Sequence, residues 1–295
     1  MGRIKNLIRN INYLTKHSLW DQREEDIVYL TDKILDDGFY EYELLNRDDK
    51  LNILSKMQTL QLIKASPKSF IRTGDGEIKL MMGYDQPFQK YEKEIAEILK
   101  RTLTESRDDL YVGINSGYFI PLYNKSDNDK RFYRRMAYDY RKFYYSYCNK
   151  NTTYIDATFT SVDLENNGTK ESDNYFEKLK SLFNNKKLAI VSGKGIIESL
   201  QYSIFSEADD IIRIDAPKIN AWDEHENIIK TIHKMVSKEY IIVFILGMAG
   251  KAMIPELTDS GYMCWDVGHL ARYYDENKKK TVFSKEERAR LYAPE

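Results

Sequence analysis

Residues 69–83 read SFIRTGDGEIKLMMG. Four residues suited to a buried strand run into an acidic turn flanked by Gly74 and Gly76, and an apolar, helix-like stretch follows. A strand that delivers Arg72, Asp75 and Glu77 at its carboxyl end begins a βα unit, and sheets wound from such units bind ligands beyond the carboxyl ends of their strands. Two acids placed there repel each other unless something positive sits between them.

The rest of the chain repeats this pattern. LYVGI (110–114) reads as a second buried strand, and TYIDATFTSV (153–162) alternates as a strand does. Farther on come KLAIVSG (187–193), DDIIRIDAP (209–217), YIIVFILG (240–247) and GYMCWDVG (261–268), each separated from the next by a helix-length segment. Buried strands alternating with helices predict an α/β fold, a Rossmann-like, mostly parallel sheet with helices on both faces. LNILSKMQTLQLIKAS (51–66) reads as a helix stopped by Pro67, and Tyr91, Ile95, Ile98, Leu99 and Leu103 form the stripe of another. Asp223 and Glu226 fit a capping box, followed by a stripe of Ile228, Ile229, Ile232, Met235 and Val236. Residues 1–48 predict a helical N-terminal extension, 49–275 the main domain and 276–295 a charged tail.

Composition excludes several function classes. The 295 residues carry 45 Lys+Arg against 46 Asp+Glu, a balance that argues against a duplex-coating protein and predicts no nucleic-acid partner. RFYRRMAYDYRKFYYSYC (131–148) mixes basic and aromatic residues, and it reads as an amphipathic helix with tyrosines packed inward rather than as a nucleic-acid or membrane surface. No window approaches the run of roughly 18 apolar residues a membrane helix needs, and the start MGRIKNLIRNINYLTKH has no secretory pattern, so a cytoplasmic protein is expected. Cys148 and Cys264 lack metal-ligand spacing and read as buried structural thiols.

The strand ends supply the chemistry. Gly76 lets the backbone turn sharply enough for Asp75 and Glu77 to reach one ion, and oxygen ligands suit Mn²⁺ or Mg²⁺ completed by phosphate oxygens. A plain turn that starts a helix, with Glu77 at its positive end, explains the same residues without a metal. Arg72 is placed to pair with phosphates or with one of these acids. Gly193 and Lys194 in VSGKG, and Gly247 and Lys251 in LGMAGKA, fit either a phosphate cradle or ordinary strand-to-helix turns. His269, beside Asp266, fits a base, a phosphate donor, a metal ligand or a helix cap.

Together these motifs resemble the GT-D glycosyltransferases, a family with an R-x-G-D-G-E motif that reads RTGDGE here. MMGYDQPFQKYEKEIAEIL (81–99), APKINAW (216–222) and SGYMCWDVGHLARYY (260–274) resemble its later segments in the same order. The resemblance implies that Asp75 and Glu77 bind the metal that holds a nucleotide sugar, with a UDP-hexose as the expected donor. It further points to Asn220, Asp266, Gly268 and His269, with Gly74 and Gly76 shaping the turn. Departures are Thr73 in place of an aromatic residue, LGMAGKA without Gly-Pro-Thr, 192–205 without its arginine and Asn-Asp pair, and TYIDATFTSV without a closing arginine.

The expected activity is therefore metal-dependent transfer of a sugar to a glycan, glycoprotein or lipid-linked acceptor, with catalytic bets on Asp75, Glu77 and His269. Peripheral attachment to the inner face of the membrane and a homo-oligomer are both compatible with it. A metal-dependent phosphohydrolase and a non-catalytic nucleotide-binding regulator are the rival readings.

Overall fold

A computed structural model of the chain describes residues 50–120, 122, 127–162 and 168–280. The predicted helices of 1–48 and the residues beyond 280 lie outside this description, as do residues 163–167. Among the described residues the strands are β1 (Asn52–Ile53), β2 (Ser69–Thr73), β3 (Leu110–Ile114), β4 (Thr153–Asp156), β5 (Lys187–Gly193), β6 (Asp210–Ala216), β7 (Ile241–Ile245) and β8 (Met263–Asp266). The α-helices are α1 (Lys56–Ala65), α2 (Asp75–Met81), α3 (Lys93–Thr104), α4 (Asp127–Tyr147), α5 (Lys170–Lys180), α6 (His225–Met235), α7 (Gly247–Asp259) and α8 (Leu270–Lys279).

The strands form one sheet in the order β1-β4-β3-β2-β8-β7-β5-β6, and every pairing is parallel. The sheet is the predicted parallel α/β architecture. Its last strand in sequence, β8, inserts between β2 and β7, so the winding reverses at the β2–β8 seam. Crevices open at such reversals.

Side-chain alternation explains why both faces are covered. On one face Phe70 of β2 stacks on Trp265 of β8 at 5.6 Å, and Phe159 and Phe183 meet this pair edge-on at 5.4 and 5.8 Å. Leu60 and Ile63 of α1, Phe176 and Leu179 of α5, and Leu270 and Tyr274 of α8 join the same core. Burying each such side chain contributes about 1.5–3 kcal/mol. On the opposite face Ile71, Ile242, Phe244 and Cys264 are also fully buried. There α7 is fastened to the seam: Thr258 Oγ1 donates to Ser69 Oγ at 2.9 Å, and Cys264 N–H donates to the same oxygen at 3.0 Å.

The chain divides into two compact units, and the sheet belongs to the one comprising residues 49–116 and 142 onward. Residues 117–141 belong to the other, so the predicted 49–275 domain is interrupted. Within that second unit the Tyr118 ring meets Tyr133 and Tyr140 edge-on, each at 5.2 Å, which is the inward packing expected of this tyrosine-rich segment.

Several local expectations are corrected. Residues 51–66 are not one helix: Asn52–Ile53 pairs with β4, and Ser55 caps α1 by accepting from Gln58 N–H at 3.3 Å. β4 stops at Asp156 rather than running to Val162, because the Asp156 carboxylate accepts from Thr158 N–H at 2.8 Å and Thr158 Oγ1 at 2.7 Å and folds the chain into a turn. Asp223 lies in a 3₁₀ turn (Ala221–Glu224), and α6 starts at His225 without a side-chain cap. The β5–β6 connection is a series of turns, not a helix. The 276–295 tail begins too early, since α8 continues to Lys279 and Asn277 is wholly buried, where its Oδ1 accepts from Gly168 N–H and Ser172 Oγ.

Candidate active site

A cavity of about 390 Å³ lies beyond the carboxyl ends of the central strands. Arg72, Gly74, Asp75, Gly76, Glu77, Gly193, Gly247, Lys251, Gly268 and His269 all line it, so the structure brings together ten of the residues singled out from the sequence. Asp266, Asn220 and Lys194 do not line it.

Asp266 is 1% exposed and serves as the anchor of Arg72. The Arg72 backbone N–H donates to Asp266 Oδ2 at 3.1 Å, Nε to the Asp266 carbonyl at 2.8 Å, and Nη2 to Asp266 Oδ1 at 3.3 Å. Nη1 donates to the Ala157 carbonyl at 3.1 Å and to Thr160 Oγ1 at 2.6 Å. A guanidinium has five N–H groups, and these bonds use four of them. Arg72 therefore pairs with Asp266, not with the acids of its own turn. Gly268 makes this possible: its φ is +53°, and any Cβ there would collide with Arg72 Nη2.

Glu77 lies in the first turn of α2 and is 6% exposed. Its Oε2 accepts the Gly74 N–H at 2.8 Å, and its Oε1 accepts Lys251 Nζ from the first turn of α7. Lys251, open in the sequence between phosphate contact and solvated cation, is a buried ammonium that also lies 3.8 Å from Asp266 Oδ2. Asp75 differs from its neighbour: among the described residues it has no hydrogen bond or ion pair, and it is half-buried on the cavity wall.

Asn220 acts at one remove. Its N–H donates to the Phe88 carbonyl at 2.9 Å, and its Oδ1 accepts from Lys90 N–H at 3.0 Å. Gln89 Oε1 accepts from Trp222 N–H at 3.2 Å. These bonds pin the 86–91 turn so that Pro87 and Phe88 reach the cavity wall. A left-handed backbone at Asn220, φ +50°, suits asparagine. Lys194 is exposed, and Lys218 takes the place expected of it: Gly193 packs so closely that a Cβ there would lie 2.9 Å from Lys218 Cγ, and Lys218 lines the cavity without an ion pair among the described residues.

His269 heads α8 with no side-chain cap bond, its ring 6.0 Å from Tyr273, and both line the cavity. From the β3–β4 side come Asn115, Thr158 and Ser161, a polar group. From the β5–β7 side come Ile196, Ile245 and Leu246. None of the β3–β4 group was singled out from the sequence, because Ser, Thr and Asn after a strand carry no signal of their own. Lys218 was hidden inside APKINAW, quoted for its proline and asparagine.

The donor set of the cavity is compatible with a divalent ion. Among the described residues no three His, Cys, Asp or Glu side chains converge. Mg²⁺-like ions do not require that: they bind through one or two carboxylates together with substrate phosphates and water. Asp75 is such a carboxylate, unengaged among the described residues and on the cavity wall.

A family model described as the glycosyltransferase GT-D fold matches residues 70–292. The chain is 30% identical over 222 residues to Glycosyltransferase GlyD of Streptococcus pneumoniae serotype 4, covering 74% of this chain and 26% of that protein. It is 29% identical over 230 residues to Probable glycosyl transferase Gly of Streptococcus gordonii, covering 77% and 33%. The chain thus spans about a quarter to a third of the length of the curated relatives it matches. Among solved structures, a domain of unknown function 1792 described as having a distinct glycosyltransferase fold superimposes with a TM-score of 0.74 at 28% identity, over 82% of this chain and 87% of that one. A DUF1792 glycosyltransferase from Streptococcus sanguinis gives 0.72 at 26%, over 79% and 87%.

Proposed function

The chain belongs to the GT-D glycosyltransferase family, and from that premise we propose that it transfers a sugar from a nucleoside-diphosphate donor, a UDP-hexose in the first instance, to a hydroxyl of a glycan, glycoprotein or lipid-linked acceptor. The observation that carries the reading is Asp75, a carboxylate without a hydrogen bond or ion pair among the described residues, on the wall of a cavity at the winding reversal of the sheet. With the proposed nucleoside-diphosphate donor bound, such a group would hold Mn²⁺ or Mg²⁺. When bound, the ion neutralises charge on the departing nucleotide.

The chain's own residues divide the remaining work. The Lys218 ammonium and the Arg72 guanidinium are cationic groups that line the cavity and suit phosphate oxygens. Ile196, Ile245, Leu246 and Phe88 offer apolar walls suited to a base, and Gly193 admits close approach of the backbone. Asn115, Thr158 and Ser161 offer amide and hydroxyl partners suited to sugar hydroxyls. His269 is the candidate to accept the acceptor's proton. Among the described residues no helix is long and apolar enough to cross a membrane.

A thermal-shift series with nucleotide sugars, with and without Mn²⁺, tests the donor. The matching donor raises the melting temperature of the native protein and does so more with the metal present. Asp75→Asn should leave the unliganded melting temperature unchanged and lower transfer by roughly a hundredfold or more. Full transfer by that variant defeats the assignment.

A further inference from the structure

We infer that Lys251 is a resident cation that keeps Glu77 out of the metal's ligand shell, so that Asp75 is the single carboxylate the described residues offer and tight metal capture waits for the donor's diphosphate. The inference rests on the metal-dependent reading above and deepens it.

Three observations carry it. First, both Glu77 oxygens are engaged by the protein itself, Oε2 by Gly74 N–H at 2.8 Å and Oε1 by Lys251 Nζ. Second, Lys251 is 6% exposed and sits between Glu77 and Asp266, whose oxygens are in turn held by Arg72 and by Gly268 N–H at 3.1 Å. Glu77, Lys251, Asp266 and Arg72 alternate in sign and cancel. Third, Asp75 is left over as the surplus negative charge at the turn.

A divalent ion that claimed Glu77 would strand the Lys251 ammonium in a buried place and would be repelled by it at short range. Bound through Asp75, the ion leaves the alternating chain intact. One carboxylate is a weak site, so most of the affinity must come from phosphate oxygens. Metal and diphosphate then strengthen each other's binding by the same factor, because such coupling is reciprocal.

The test measures Mn²⁺ alone, by the loss of the free-ion EPR signal, on the full chain without nucleotide. Lys251→Met releases Glu77 and removes the repulsion, and it should bind Mn²⁺ roughly tenfold or more tightly than wild type. The double variant Glu77→Gln/Lys251→Met removes a neutral pair and strands no charge. It should bind within about threefold of wild type, since Glu77 contributes nothing to the wild-type site. A tenfold loss in the double variant, or no gain in Lys251→Met while it melts cooperatively, overturns the inference. If Lys251→Met does not fold, the double variant decides alone. Asp75→Asn separates the two levels of the argument. Abolished binding leaves the metal reading standing whatever Lys251 does, whereas wild-type binding removes that reading and this inference with it.

Discussion

Arg72 and Asp266 meet across the β2–β8 seam through three hydrogen bonds, of which the shortest is Arg72 Nε to the Asp266 carbonyl at 2.8 Å. The ladder there is brief, with Phe70 opposite Trp265 as its register pair. The ion pair therefore holds the strand tips together at the place where the cavity opens.

Removing the guanidinium leaves the buried Asp266 carboxylate with only the backbone N–H groups of Arg72 and Gly268, each at 3.1 Å, and the Lys251 ammonium at 3.8 Å. Arg72→Ala should lower unfolding stability by about 3–5 kcal/mol. Arg72→Lys should recover only part of this, because a lysine cannot reproduce the fork that serves Asp266, Ala157 and Thr160 together. Urea denaturation of both variants checks the order; equal stability of wild type and Arg72→Lys would remove the fork from the argument.

Gly268 is the companion of that fork. Gly268→Ala meets both a left-handed backbone and the Arg72 guanidinium. A loss of roughly 2 kcal/mol or more is expected, larger than the ~1 kcal/mol that a φ > 0 position alone costs an alanine. Gly268→Ala in an Arg72→Ala background should cost less than in wild type, a coupling that a double-mutant cycle reads directly.

Asn220 should affect donor affinity without touching the donor. Asn220→Gly keeps the left-handed backbone and removes the acceptor of Lys90 N–H. The expected outcome is a severalfold rise in KM for the nucleotide sugar with little change in kcat, because the 86–91 turn that carries Phe88 loosens. Faster proteolysis within 84–91 should accompany it. An unchanged KM would show that the turn is held well enough by Gln89.

Stability should fall in alkali before any surface charge explains it. Burial pushes the Cys148 thiol from 9.0 up to about 12, and burial is also the first cause raising Cys264, Tyr144, Tyr154 and Tyr175 above their ordinary values. The unfolded chain loses these protons from about pH 9 for cysteine and about pH 10 for tyrosine, while the folded chain keeps them. In that window the unfolded state holds fewer protons, so unfolding becomes easier as pH rises. The contribution is whole below about pH 9 and is lost as pH climbs through the folded values. Urea midpoints measured from neutral pH upward check the direction, and neither thiol should react with a disulfide reagent near pH 8 until urea is added.

The sequence was sufficient where a signal is local and periodic. LYVGI and KLAIVSG became β3 and β5 to the residue, since a run of β-branched residues bounded by turns has few other ways to be buried. The acidic turn after β2 was legible too, because glycines on both sides of Asp75 leave a sharp turn as the natural outcome. Where a polar side chain overrode propensity, the sequence misled: Asp156 ended β4 six residues early, and the short β1 was absorbed into a helix.

Which partner each charge takes was decided by the tertiary structure alone. Asp75 and Glu77 look alike in RTGDGE, and they separate only because α7 brings Lys251, 174 residues from Glu77, onto one of them. Asp266 and Asn220, expected as donor contacts, serve in the fold as anchors, one for Arg72 and one for the turn that carries Phe88. The physical reason is that burial makes an unpaired charge costly, so each is matched to whatever opposite charge the winding of the sheet delivers. That delivery depends on the insertion of β8 between β2 and β7, a contact between distant parts of the chain that no local pattern encodes.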